Sequence, residues 1–467
     1  MNPRSVTGIN VIATLSPAFP RRLLPALGAL LALLLNLGPV SAAPVRTVGV
    51  ARVDITPAFP IRLNGYFGRE VEATNAAQHL FAKALAFGGD PGGPAVLIVL
   101  DNGILPHSLR ERVVEKLRRQ EHLDPARIVL CATHTHCAPC LTGAAPNLFG
   151  HEIPAADQAH IDRYTRELID QLVQVATAAL RDRRPARLGW GRDAATFAAN
   201  RRTQGGPVDT AVPFLTITDT NGALRAIFTA YACHCTTLGR DQTNFHGDWA
   251  GCAQEFLEKE HPGALVLTAI GCGADANPEP RGTLALVRQH GRSLADSVNR
   301  GLERPRLPLA GGLECRLKEI SLPFDPPPTR EEWQALAQQA GAPGYHARKN
   351  LARMERGEPL ERRLPYWVQE WNFGDDLALV FLAGEVVVDY ALRLRTEFAT
   401  DRLWLNAYAN DIPAYIPSRR ILREGGYEGG GAMIPYGLPN RFQSNVEDLV
   451  AGTVEELMSS VGNRPLN

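Results

Sequence analysis

An excess of charge of either sign is missing from this chain. Its 467 residues carry 49 Lys and Arg against 49 Asp and Glu, and the sequence pI is near 7.2. Such a balance lacks the basic field that holds a polyanion, so no nucleic-acid partner is expected. No repeat period organises the 42 Gly and 35 Pro, which excludes a collagen or a solenoid and leaves a loop-rich enzyme-like chain. A second Cys-x-x-Cys is also lacking, so Cys137-x-x-Cys140 cannot complete a four-thiolate zinc site. The apolar run Leu23 to Leu37 falls short of the roughly 20 residues that a membrane-spanning helix needs.

That run is better read as part of an export signal. Arg21 and Arg22 precede it and Val40-Ser41-Ala42 follows as a small-residue cleavage site. Residues 1–42 are therefore expected to be a signal peptide, a retained anchor being the alternative, and 43–467 a single large domain that is secreted or periplasmic. The eight cysteines then meet an oxidising compartment, where at most one or two disulfides are expected. With 45% hydrophobic and 21% charged residues, the chain can bury a large core.

Short apolar runs recur, each ending in a polar or Gly-rich loop. Ala95 to Leu100 ends at Asp101, with Ser108 placed to cap a following helix. Ile128 to Cys131 opens into Thr133-His134-Thr135-His136, and a helix with Ile161, Tyr164, Leu168, Leu172 and Val175 on one stripe comes after. Phe214 to Ile217 and Ala226 to Tyr231 flank the hairpin signal Thr220-Asn221-Gly222, and the second of them runs into Cys233-His234. Ala264 to Ile270 leads to Gly271-Cys272-Gly273-Ala274-Asp275. Leu377 to Leu382 leads to Gly384-Glu385 and a helix entered through Val386. Residues 324–366 read as an insertion with a capping box at Thr329 and Glu332. The pattern predicts a mixed α/β, layered architecture of sheets flanked by helices.

His134, His136, His234, Asp275 and Glu385 all lie just beyond a strand-like run, where ligands bind in sheet-based enzymes. On an extended segment, His134 and His136 would project to the same side. Two histidines and a carboxylate with an open position make a hydrolytic metal site, although a His pair can also be an ordinary buried hydrogen-bonding pair. Glu385 can equally be a first-turn glutamate favouring a helix dipole. Asp248, after His246, reads as the cap of a helix starting at Trp249.

Several segments resemble the catalytic domain of the neutral, non-lysosomal ceramidases, which split an N-acylsphingosine. They are Gly49 to Pro57, Thr133 to Pro139, Tyr231 to Thr237, Gly247-Asp248, Gly384-Glu385 and Asn410 to Ile416 followed by Tyr427-Glu428-Gly429. The resemblance covers most of residues 48–431. It implies a zinc ion held by His134, His234, Glu385 and Tyr415, with His136, Arg201 and Tyr427 contacting substrate or the developing oxyanion. It puts no thiolate on the metal. The family's serine has Asn277 in its place here, and a C-terminal immunoglobulin-like domain has no counterpart.

Together these readings predict attack of metal-activated water on a lipid or other small amide, with Asn277 assisting the oxyanion and His136 or Asp275 moving the proton. Transient contact with a membrane surface fits such a substrate. A zinc esterase, a non-catalytic lipid- or glycan-binding relative, and a metal-binding protein using Cys137, Cys140, Cys233 and Cys235 are the alternatives.

Overall fold

The computed structural model describes residues 44–459, and the expected signal segment lies outside the described residues. Eight strands make the main path of the larger sheet: β1 Arg46–Asp54, β2 Phe81–Gly88, β3 Ala95–Leu100, β4 Ile128–Ala132, β5 Arg184–Ala194, β6 Ala211–Asp219, β7 Leu224–Tyr231 and β8 Leu265–Ile270. Their spatial order is β8-β7-β6-β5-β1-β2-β3-β4. Only the outermost pairs, β3 with β4 and β7 with β8, run parallel. A second sheet orders β9 Leu313–Pro323, β10 Arg363–Phe373, β11 Ala378–Leu382 and β12 Leu403–Asn406, its last pair parallel.

The continuous apolar runs arise because both faces of these strands are buried. Along β3, Ala95, Leu97 and Val99 join Trp371, Phe381 and Trp404 of the second sheet in one core, whereas Val96, Ile98 and Leu100 join the core under the helices. The same period of two divides Leu379 and Phe381 from Val380 and Leu382 on β11. The two sheets thus stack face to face, with helices on their outer surfaces. A mixed α/β layered fold was the expectation, and it holds.

Local details depart from it. The helix His107–Glu121 begins after Pro106 with no side-chain cap, so Ser108 does not play that part. The helix expected from Trp249 starts at Asp248, whose Oδ1 accepts from the Trp249 amide while Oδ2 accepts from that of Leu238. The insertion is a helical excursion between two neighbouring antiparallel strands, and Thr329 with Glu332 closes the capping box as read. All eight thiols are free, seven of them buried. None of the described helices is long and apolar enough to cross a membrane.

Candidate metal centre

The carboxyl ends of the parallel pairs meet where the two sheets are laced together. Ala132 donates to the Tyr408 carbonyl, Asn410 to that of Leu130 and Ala407 to that of Ile270, so loops from both sheets are held at one place. His134 follows β4, His234 follows β7 and Glu385 follows β11. A parallel ribbon of two residues pairs Glu385 with Tyr415 in direct register, which sets this carboxylate and this phenol side by side. Glu385 is therefore a strand residue, and the helix expected from Val386 begins at Val388. The reading of Glu385 as a first-turn helix residue is overturned.

His134 is not on a regular extended segment either. It adopts φ 57°, a left-handed conformation unusual for a non-glycine residue. The two imidazoles still meet, with their Nε2 atoms 3.2 Å apart. His134 Nδ1 donates to the Gly103 carbonyl at 2.8 Å and His234 Nδ1 to that of Gly273 at 3.0 Å. Those bonds fix the tautomers and aim both Nε2 lone pairs inward, the usual support of a metal-ligating histidine. Gly273 has to be glycine: a Cβ there would lie 2.4 Å from the backbone of Ala232.

The inward atoms are all electron-rich. Glu385 Oε2 lies 3.2 Å from His134 Nε2 and 3.1 Å from His234 Nε2, and the Tyr415 hydroxyl lies 3.2 Å from His234 Nε2. Oε2 is buried and accepts no hydrogen bond, while Oε1 accepts one from Tyr436 at 2.5 Å. Lone pairs gathered in a buried space repel one another unless a cation joins them. The residues therefore fit a metal ion, and nitrogen with oxygen donors suits zinc. Burial would push the Glu385 carboxyl up, but His134 and His234 hold it well below the usual carboxylate range. Burial and the Arg201 charge bring His234 down to about 4, so the imidazole is neutral at pH 7.

The ligating atoms of His134, His136 and His234 lie within 4.8 Å of one another, so geometry alone allows three imidazoles around an ion. The supports separate them. His136 Nδ1 is buried and has no partner, so nothing fixes its tautomer, which suits a group that exchanges a proton. Burial first, and then the proximity of His134 and His234, hold its ring far below the usual imidazole value and so neutral. Tyr66 packs edge-on against it, and Gly65, at φ +85°, leaves the room: a Cβ would strike the ring at 2.3 Å.

Arg201 donates to the Tyr415 hydroxyl at 3.1 Å and to Glu428 at 2.7 Å. Tyr427, 40% exposed, sets its ring against Tyr415. Asn277 has its Oδ1 turned to the Thr236 hydroxyl at 3.4 Å and lines the cavity beside the histidines, which measures about 240 Å³. Asp275 is not brought to the centre. Its Oδ1 accepts from Val388 and its Oδ2 from Asn200, its carbonyl accepts from Arg201, and it lines neither the metal cavity nor the two spaces beside it. The expected proton-transfer role of Asp275 finds no support in this placement; its contacts make it an anchor between three segments.

The candidate ion site contains no thiol, and burial pushes Cys137 and Cys140 up to about 12, away from the thiolate a metal needs. Two residues escaped sequence reading. Tyr436 sits in an irregular stretch without periodicity, and Glu428 was visible only as a neighbour of Tyr427. In the fold the Glu428 carboxylate sits between Arg201 and Arg202, a contact that no sequence spacing marks.

Residues 47–270 match the family model described as neutral/alkaline non-lysosomal ceramidase, N-terminal. That stretch is similar to the ceramidase family. Among solved structures, the neutral ceramidase from Pseudomonas aeruginosa aligns with a TM-score of 0.67 at 19% identity, over 89% of this chain and 75% of that one. A ceramidase complexed with C2 aligns with the same TM-score at 17% identity, over 89% of this chain and 76% of that chain. These likenesses carry the ceramidase fold across the second sheet, beyond the matched stretch. No curated protein sequence matches the chain.

Proposed function

We propose that this protein is a zinc-dependent hydrolase of N-acyl amides, exported from the cytoplasm. The observation that carries the reading is the convergence of His134, His234, Glu385 and Tyr415 beside an open cavity, with the buried Glu385 Oε2 left without a hydrogen bond between the two Nε2 atoms. A structural zinc site is closed, whereas a hydrolytic one keeps a face for water and substrate. Zinc bound there supplies a water that ionises near neutral pH and a Lewis acid for the carbonyl.

The chain's own residues account for the remaining tasks. Arg201 brings a fixed positive charge beside Tyr415, held in place by Glu428, and Asn277 offers an amide donor, both suited to a carbonyl oxygen gaining negative charge. His136 is neutral and adjoins the same centre, so it can take a proton from water and return it to the leaving amine. The family supports an amide of ceramide type; the change to Asn277 leaves the choice of N-acyl substrate to this chain's own cavity.

Metal analysis and turnover test this together. The purified chain is expected to hold one zinc and to hydrolyse a ceramide or a simpler N-acyl amide, and His134→Ala and His234→Ala each to lose metal and activity in parallel. Stoichiometric zinc in both variants would overturn the ligand set. Export rests on the leader composition, and N-terminal sequencing of the exported pool should begin at or near Ala43; a pool beginning at Met1 would refute it.

A further inference from the structure

Two further spaces adjoin the metal cavity and differ in chemistry. One, about 280 Å³, shares the apolar walls Ile104, Ala145 and Leu148 with it and continues past Leu141, Phe149 and Ile161, with Asn64, Gln158 and the paired Glu152 and Lys349 completing its lining. The other, about 880 Å³, opens beyond Asn277 and Tyr427 and is lined mainly by charged and polar side chains. Its Arg201 and Arg202 are already engaged, both by Glu428 and Arg202 also by Glu424. Arg281 is different. It lines both the metal cavity and the polar space, it is exposed, and among the described residues no hydrogen bond, ion pair or ring contact engages its guanidinium.

An amide spanning these spaces would set an apolar acyl group on one side of the metal and a polar amine-side group on the other. A long second hydrocarbon chain would have to lie along arginine and glutamate side chains, which bury apolar surface poorly. Arg281 offers a planar, permanently charged fork that matches a carboxylate with two parallel hydrogen bonds. Glu279, also exposed and unpaired, lines only the outer space, so the inner position favours the negative end of the ligand. Building on the hydrolase reading, we propose that the preferred substrate is an N-acyl amino acid or a similar N-acyl compound whose amine side carries an anionic group, and that Arg281 selects it.

The test separates this inference from the activity it builds on. Dodecanesulfonylglycine and N-(2-hydroxyethyl)dodecanesulfonamide, which carry no scissile amide, are titrated calorimetrically against the full chain below their aggregation concentrations. The carboxylate compound is expected to bind about tenfold tighter, as a charge-assisted contact in a partly solvated site would give. Arg281→Gln should abolish that preference, Arg281→Lys should keep part of it, and raised salt should weaken it. Equal binding of the two compounds by the unaltered chain, or a preference that persists in Arg281→Gln, overturns the proposal. Hydrolysis of N-lauroylglycine and N-lauroylethanolamine by the zinc-loaded chain is measured beside it. An Arg281-dependent binding preference with neither amide cleaved would leave the anion site standing and remove the hydrolase reading.

Discussion

Asn277 occupies the boundary between the metal cavity and the polar space, on a three-residue strand paired with Ala198–Asn200. With Oδ1 turned to Thr236, its amide donor is left for the cavity. An amide side chain cannot form an acyl ester, so catalysis should proceed without a covalent acyl-enzyme. Asn277→Ala is expected to lower kcat by roughly 100- to 1,000-fold, the cost of one oxyanion donor, with zinc content unchanged. Intact-protein mass spectrometry during a single turnover checks the first point, since an acylated chain would disprove it. Asp275 gives the contrasting expectation: Asp275→Asn sets a donor against the Asn200 amide and should cost about 1–3 kcal/mol of stability with little change in kcat. Denaturant unfolding beside steady-state kinetics separates an anchor from a proton carrier. The histidines, Glu385 and the tyrosine motifs were legible because each follows an apolar run or a recognisable motif. The role of Asp275 was not, because which way a loop carboxylate turns depends on the partners that folding brings to it.

At the scale of elements, the ribbon that registers Glu385 with Tyr415 is only two residues long and depends on its approach. Gly384 has φ +77°, and a Cβ there would lie 2.7 Å from the Ala414 carbonyl. Gly384→Ala should therefore displace the strand that carries the glutamate. Zinc affinity is expected to fall by at least tenfold while the circular-dichroism spectrum keeps its native form, and unchanged affinity would show that the register does not set the site. Strands were legible because apolar runs bounded by polar loops mark buried strands well. The ribbon was not, since two residues make no period and its partner lies 30 positions away. The left-handed turn at His134 escaped for a related reason: it is imposed by the pairing of Thr135 with Cys235 and the bond from His134 to Gly103, both long-range.

Across the whole molecule, the helical excursion between β9 and β10 is fastened to the loop that walls the metal cavity. His346, buried on the helix Gly341–Glu355, hydrogen-bonds Asn147 through Nδ1 and Asn350 through Nε2, and packs edge-on against Trp333. Asn147 stands between Ala145 and Leu148, and its amide donates to the Pro435 carbonyl beside Tyr436. Burial brings His346 down to about 4 from an ordinary 6.5. A histidine with a depressed folded value contributes its full stability above about pH 6.5, and that contribution drains away as the pH falls toward 4, because the unfolded chain takes up the proton first. The loss amounts to roughly 3 kcal/mol when complete. Buried carboxyls such as Asp101, raised to about 6, oppose this trend, so the stability of the unaltered chain alone cannot isolate it. The difference between the chain and His346→Gln can. Urea unfolding should find the substitution clearly destabilising at pH 7.5 and progressively less so by pH 4.5, whereas a penalty independent of pH would mean that His346 is not held neutral by its burial.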